Sequence, residues 1–271
     1  MEEKGVRREQ ARAARRDAGV TDRLAAVVLA AGAGTRLRPL TNILPKALCP
    51  VGNVALVDLA IERVRPLTPR IAVNVHHGRA LLEAHLDGRV RLSVEEPEVL
   101  GTAGALGKLR EWIDGRATVV VNTDAWHRFE LSALVEGWDG ERVRLLVVDD
   151  PARGDFGPWR QCGASIMPWS EVRPLPAAFG GLYEACWGPR WVEGRLELVP
   201  CAGPFFDCGT PADYLAANLA ASGGVSVVGE GARVEGELVR SVVWPGGVVH
   251  RGERLVECIR VGEDLTVAAG R

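Results

Sequence analysis

The run LAAGAGTRLRPLTNILPK, residues 29–46, gathers side chains suited to holding phosphate. Gly32 and Gly34 leave a turn bare, so backbone N–H groups can approach an anion closely. Arg36 follows with a planar fork of donors that matches phosphate oxygens. Ten residues later Lys46 brings a compact ammonium, stiffened by the preceding Pro45. The chain has 33 basic residues and only three are lysines, Lys4, Lys46 and Lys108. Three uses of such a turn are open. A dinucleotide fingerprint, G-x-G-x-x-G, needs a third glycine where Leu37 stands. A P-loop needs G-x-x-x-x-G-K-[ST], and the nearest candidate, TAGALGKL at 102–109, has Thr102 and Leu109 at two required positions. The third use, a cradle for a triphosphate formed by Gly32, Gly34, Thr35 and Arg36 with Lys46 beside it, has no such conflict.

Other polar residues close apolar runs, where α/β sheets place their ligands. ATVVVNTD (117–124) ends in Asn122 and Asp124, and RVRLLVVDD (142–150) ends in Asp149 and Asp150. VRLSVEE (90–96) ends in Glu96, which is either a solvated strand end or a carboxylate able to accept from a base edge such as guanine's N–H donors. Gly101 and Thr102 open the next helical pattern.

The elements that must position these groups follow from periodicity. LAAVVLA (24–30) and IAVNVHH (71–77) are β-branched apolar runs, and VRLSVEE alternates as a half-buried strand does. Between them lie helical patterns. Asn53 would cap a helix carrying Val54, Val57, Ile61 and Val64 on one face; 78–86 and 101–112 follow suit. This βαβα order predicts an α/β, Rossmann-like, mostly parallel sheet. Residues 151–207, rich in Pro, Gly and Trp, read as long loops and irregular strands. TPADYLAANLAAS (210–222) begins with a Thr-Pro pair that suits a helix N-cap and first turn. After Gly223, valines at 228, 234, 242 and 248 keep a near-hexapeptide period, which predicts a short parallel β-helix packed on the α/β body or on a second subunit. The domain reading is a charged, flexible tail at 1–22, an α/β domain at 23–222 and a β-helix at 223–271.

Bulk properties limit the function. Of 271 residues 47% are hydrophobic and the net charge is −2, so no global field favours a nucleic acid. The sequence shows neither an 18-residue apolar run nor a secretory leader. The expectation is a cytoplasmic protein without a membrane partner. Six cysteines show neither CxxC pairs nor zinc-like spacing.

LAAGAGTRLRPLTNILPKAL resembles the signature of sugar-1-phosphate nucleotidylyltransferases, approximately LAAGxGTRLxPLT…PK. VNVHHGRALLEAHL (73–86) is similar to that family's second strand–helix unit, and EEPEVLGTAGAL (95–106) to its nucleobase-holding segment. VVNTDAWH (120–127) and FFDCGTPADYLAANL (205–219) resemble its two metal-aspartate segments. A β-helix of the left-handed kind recurs at the C-terminus of many members, including mannose-1-phosphate guanylyltransferases. The resemblance implies attack of a sugar 1-phosphate on the α-phosphate of an NTP, releasing pyrophosphate. Arg36 and Lys46 would be catalytic, Gly32, Gly34, Thr35, Arg36, Glu96, Gly101 and Thr102 would bind nucleotide, and Asp124 and Asp207 would hold Mg²⁺.

The family's usual Glu-Lys-Pro segment is missing. ARGDFGPWRQCGASIMPW (152–169) is instead similar to the N-acetylmuramate-1-phosphate uridylyltransferase branch. By that likeness Asp155 binds substrate, Gly163 lets the sugar approach, and Asn122 contacts the sugar or braces its loop. The tryptophans at 159, 169, 187 and 191 read as core packing. One alternative stands beside catalysis, a catalytically inactive nucleotide-sugar-binding regulatory paralogue on the same fold; a homodimer built on the exposed β-helix end is a partner expectation under either reading.

Overall fold

The computed structural model describes residues 23–269; the predicted charged tail at 1–22 lies outside them. A seven-stranded sheet forms the centre. With a hairpin, β2 (Pro50–Val51) and β3 (Val54–Ala55), and a ribbon, β7 (Ala125–His127) and β11 (Phe205–Asp207), set apart from it, its strands are β1 (Leu24–Leu29), β4 (Ile71–Val75), β5 (Arg91–Val94), β6 (Ala117–Asn122), β8 (Val143–Asp149), β9 (Trp159–Met167) and β10 (Leu196–Pro200), ordered β10-β8-β9-β6-β1-β4-β5. The pairs β6–β1, β1–β4, β4–β5 and β8–β10 are parallel, whereas β9 runs antiparallel to both neighbours. The expected mostly parallel sheet is therefore present, with one reversed strand inside it.

That strand lies in the segment read as long loops and irregular strands, and at nine residues it is longer and more regular than that reading implies. Cys162 to Met167 are all buried, so the run lacks the polar alternation that marks a half-buried strand. The Asn53 expectation also changes. Gly52 (φ 57°) and Asn53 (φ 66°) form the two-residue turn of a hairpin, Pro50–Val51 against Val54–Ala55. Two successive positive φ values suit the Gly-Asn pair and the twist of such a hairpin. The helix then starts at Leu56 and buries Leu56, Val57, Ala60, Ile61 and Val64.

The helix Gly101–Ile113 buries Leu106, Leu109 and Ile113 against the sheet. Its glycines meet a different neighbour. A Cβ at Gly104 would stand 2.1 Å from the Ala178 carbonyl oxygen, and one at Gly107 would stand 2.2 Å from that of Pro176. The segment 176–180 thus lies directly on the helix backbone. Gly180 accepts from the Ala103 N–H at 2.9 Å, and the Leu182 N–H donates to Thr102 Oγ1 at 2.8 Å.

The helix Pro211–Ala221 begins as expected: Thr210 Oγ1 accepts from the Asp213 N–H at 3.2 Å. It ties three regions together. Tyr214 is fully buried, donates its hydroxyl proton to the Pro50 carbonyl and accepts from Trp244 Nε1 at 3.0 Å. Asn218 Oδ1 accepts from the Gly52 N–H at 3.0 Å. One core cluster therefore joins Leu37, Leu40 and Val51 to Tyr214, Val242, Trp244 and Ile259.

Beyond this helix the strands are short and stack in parallel, except Leu265–Ala268, which pairs antiparallel with Cys258–Val261. Val227–Val228 pairs with Val242–Val243, which pairs with Cys258–Val261; Arg233–Val234 pairs with Val248–Val249; Glu237–Val239 pairs with Arg254–Val256. Val242 and Val248 are buried, but Val228 and Val234 are exposed. In the first of these strands Val227 takes the inward place instead.

Candidate nucleotidyl-transfer site

The phosphate-loop candidate leaves β1 at the carboxyl edge of the sheet. Gly34 has φ 61°, which an L side chain adopts only with strain. Space is also closed to a side chain there. A Cβ on Gly34 would lie 2.9 Å from both Lys46 Cβ and Thr41 Cγ2. Thr41 Oγ1 donates to the Gly34 carbonyl at 2.9 Å and closes the loop. Gly32 is the opposite case: a Cβ would meet nothing within 4 Å, because the position faces open space. Leu37, where a dinucleotide fingerprint needs glycine, is fully buried in the core.

The two aspartates meet because β6 continues into β7 (Ala125–His127), which pairs with β11 (Phe205–Asp207) in an antiparallel ribbon. Asp207 stands opposite Ala125, and the Cys208 N–H donates to the Asp124 carbonyl at 2.9 Å. Lys46 Nζ lies 2.6 Å from Asp124 Oδ2 and 4.0 Å from Asp207 Oδ1. Arg36 Nη2 lies 3.5 Å from Asp207 Oδ2. Gly209 makes room for that arginine, since a Cβ there would approach Arg36 Nη2 to 2.8 Å. Two carboxylates thus face three cations, counting Arg160, whose Nη2 is 3.8 Å from Asp207 Oδ2.

Two cavities of about 200 Å³ flank this centre and share Asn122 and Asp124 in their walls. The first is lined by Gly32, Lys46, Asn74, Gly101 and Thr102 among others. The second is lined by Asp155, Arg160, Gln161, Gly163, Phe205 and Asp207. Gly163, at φ 73°, would put a Cβ 2.3 Å from that of Ala125, so close strand approach requires glycine. Asp155 Oδ2 accepts from the Gln161 N–H at 2.9 Å. None of the four tryptophans read as core lines the second cavity; Trp187 is buried and Trp159 and Trp169 are partly buried, but Trp191 is exposed, against the core reading, with only its edge packed on Phe156.

Glu96 is not brought to either cavity. It is exposed and paired with Arg79. Its neighbour Glu95 is fully buried, and Oε1 accepts from Asn74 Nδ2 at 2.8 Å while Oε2 accepts from the Leu100 N–H at 2.7 Å. Asn74 Oδ1 accepts in turn from the Ala30 N–H at 2.7 Å. This chain of bonds braces the phosphate loop and the 95–100 turn against each other. Sequence reading missed it, although an asparagine inside IAVNV was the available signal. The alternation of β5 pointed the other way: Glu96 is in phase with the apolar Leu92 and Val94, whereas Glu95 shares the face of the buried Ser93.

The thiols near the centre are not poised for chemistry. Burial pushes Cys49 and Cys162 up to about 12, and Cys208 well above its ordinary range. Asp124, in the turn between β6 and β7, and Asp207, at the end of β11, are two hard carboxylates of the kind that could hold Mg²⁺, which takes one or two protein carboxylates and completes its shell with water and phosphate oxygens. Among the described residues no group of three or more His, Cys, Asp or Glu side chains offers an all-protein metal site.

Residues 25–157, just under half of the chain, match the nucleotidyl transferase family. It is similar to N-acetylmuramate alpha-1-phosphate uridylyltransferase of Caulobacter vibrioides, 37% identical over 136 residues, which cover 45% of this chain and 56% of that protein. The enzyme of the same name from Neisseria meningitidis serogroup B is 29% identical over 168 residues, 58% of this chain and 71% of that one. The fold matches a putative glucose-1-phosphate thymidylyltransferase from Bacillus anthracis with TM-score 0.64 at 18% identity, covering 73% of this chain and 95% of that structure. No helix among the described residues is long and apolar enough to cross a membrane.

Proposed function

We propose that this protein joins an NTP to a sugar 1-phosphate, giving a nucleotide-sugar and pyrophosphate. The observation that carries the reading is the meeting of Lys46, Asp124 and Asp207 where two cavities adjoin, with Lys46 on the first, Asp207 on the second and Asp124 lining both. The attacking group, a phosphate oxygen, is already ionised, so no general base is needed. What the reaction needs is alignment of two anions and neutralisation of charge at the transferred phosphorus.

The loop Gly32–Thr35 presents backbone to the triphosphate, and Arg36 steadies the leaving pyrophosphate. Lys46 places a point charge at the reacting phosphates. Gly101 and Thr102 hold the base from the start of their helix; the Thr102 hydroxyl accepts from the Leu182 N–H and keeps its own proton to donate. Asn122, Asp155 and Gly163 line the sugar side. Asp124 and Asp207 would hold Mg²⁺, which supplies neutralisation of the phosphate charge when bound. The parallel stacks after Val227 are read as a left-handed β-helix of about two coils, small enough to depend on the body beneath it.

A screen of the four NTPs against glucose, mannose, N-acetylglucosamine and N-acetylmuramate 1-phosphates, followed by pyrophosphate release, tests the reading. Release that needs both substrates, stops with EDTA and returns with Mg²⁺ is expected. No release from any pairing sinks it.

A further inference from the structure

We infer that Arg160, on β9, is the residue that binds the phosphate of the incoming sugar 1-phosphate; this rests on the proposed transfer reaction. The second cavity is lined by three carboxylates, Asp124, Asp155 and Asp207, and by one cation, Arg160. Among the side chains lining that space Arg160 alone carries a positive charge to meet an entering phosphate; the remaining side-chain donors there are the neutral amides of Asn122 and Gln161. The acceptor phosphate must also come to within about 3–3.5 Å of a second, equally charged phosphate. Lys46 and the glycine loop belong to the first cavity, so they serve the nucleotide side.

Arg160 is built to stay in place. Its side chain is 15% exposed. Nη1 is 3.3 Å from Asp150 Oδ2, Nη2 is 3.8 Å from Asp207 Oδ2, and the guanidinium carbon lies 4.9 Å from the centroid of the Phe205 ring. The Asp150 carboxylate has a second partner, Arg153, at 3.5 Å. It therefore keeps a cation when Arg160 engages a ligand. Phe205 fixes the plane of the fork, and two N–H groups of a fixed fork suit a tetrahedral phosphate better than an ammonium does. Phe205 and Asp207 lie on β11, so this strand orients the arginine as well as contributing a metal-binding carboxylate.

The test uses the best substrate pair from the screen above. Arg160→Ala should raise KM for the sugar 1-phosphate by about 10–100-fold, the loss of a bond to a charged group, while KM for the NTP stays within about twofold. Arg160→Lys should recover part of the loss by charge alone, and the melting temperatures should remain close. An unchanged sugar-phosphate KM in Arg160→Ala, with wild-type turnover intact, overturns this inference and leaves the transfer reading standing. An equal rise in both KM values, or one that tracks a fall in melting temperature, would reduce Arg160 to a structural role and also overturn it. Absence of turnover in the wild type removes the reading and the inference together.

Discussion

Lys46 Nζ sits 2.6 Å from Asp124 Oδ2 and 4.0 Å from Asp207 Oδ1, so one ammonium bridges the carboxylates of two separate strands. The lysine side chain is 11% exposed, whereas its partners are open enough to meet a ligand. A compact cation held this way can turn from carboxylate to phosphate without leaving the site. Lys46→Ala is expected to lower kcat by about 10²–10³-fold, the usual scale for losing one electrostatic stabiliser. Lys46→Arg should not restore it, because the stem packs on Gly34 and a planar fork does not fit the same point. Steady-state kinetics on both variants check this.

Asp207→Asn should abolish most turnover and leave stability nearly untouched. Its ion pairs with Arg36 and Lys46 are 3.5 and 4.0 Å long and partly solvated, and such pairs contribute about 0–1 kcal/mol. Thermal melts beside activity measurements separate the cases. A drop of many degrees would make Asp207 a structural residue.

The two loop glycines should behave differently. Gly34→Ala forces a side chain into a φ of 61° and into contact with Lys46 and Thr41. It should cost about 1–3 kcal/mol of stability by urea unfolding. Gly32→Ala meets no protein atom within 4 Å, so its stability should stay within about 0.5 kcal/mol of wild type. Its side chain would instead fill space meant for the triphosphate, and NTP-induced thermal stabilisation should shrink.

His127 offers a pH test of the β7 strand. Burial, then the neighbouring Arg63 cation, lowers its pKa to about 3. Arg63 Nη1 also donates to the Ala125 carbonyl at 3.1 Å, beside Asp124. In the unfolded chain the histidine takes a proton near pH 6.5 and in the folded chain it does not. The unfolded state therefore binds more protons between these values, and stability falls as pH drops below about 6.5. Urea unfolding between pH 7.5 and 5 should show a decline approaching about 1.4 kcal/mol per pH unit near the lower end. His127→Gln should flatten it; an unchanged slope would count against the buried neutral histidine.

Much of this architecture was readable in the chain. The glycine turn, Lys46 and both aspartates come together as their spacing and motifs implied, because α/β connectivity delivers strand ends to one edge. β9 was not readable: a strand buried on both faces loses its alternation and looks like irregular sequence. Glu96 was chosen over Glu95 because both are carboxylates at one strand end, and only the pleat decides which faces inward. Arg160 carried no local signal at all. Its significance comes from Asp150, Phe205 and Asp207, which the sheet and the β7–β11 ribbon bring to it from elsewhere in the chain.

The central claim, that this centre transfers a nucleotidyl group, is tested most directly by ³¹P NMR of the purified chain with Mg²⁺, an NTP and a sugar 1-phosphate. The account predicts loss of the triphosphate and sugar-phosphate signals with matched growth of a nucleotide-sugar diphosphate and pyrophosphate, and no such change with Asp207→Asn. Tight binding of a nucleotide-sugar without any pyrophosphate formed by the wild type would contradict it and make the protein a binding paralogue on this fold.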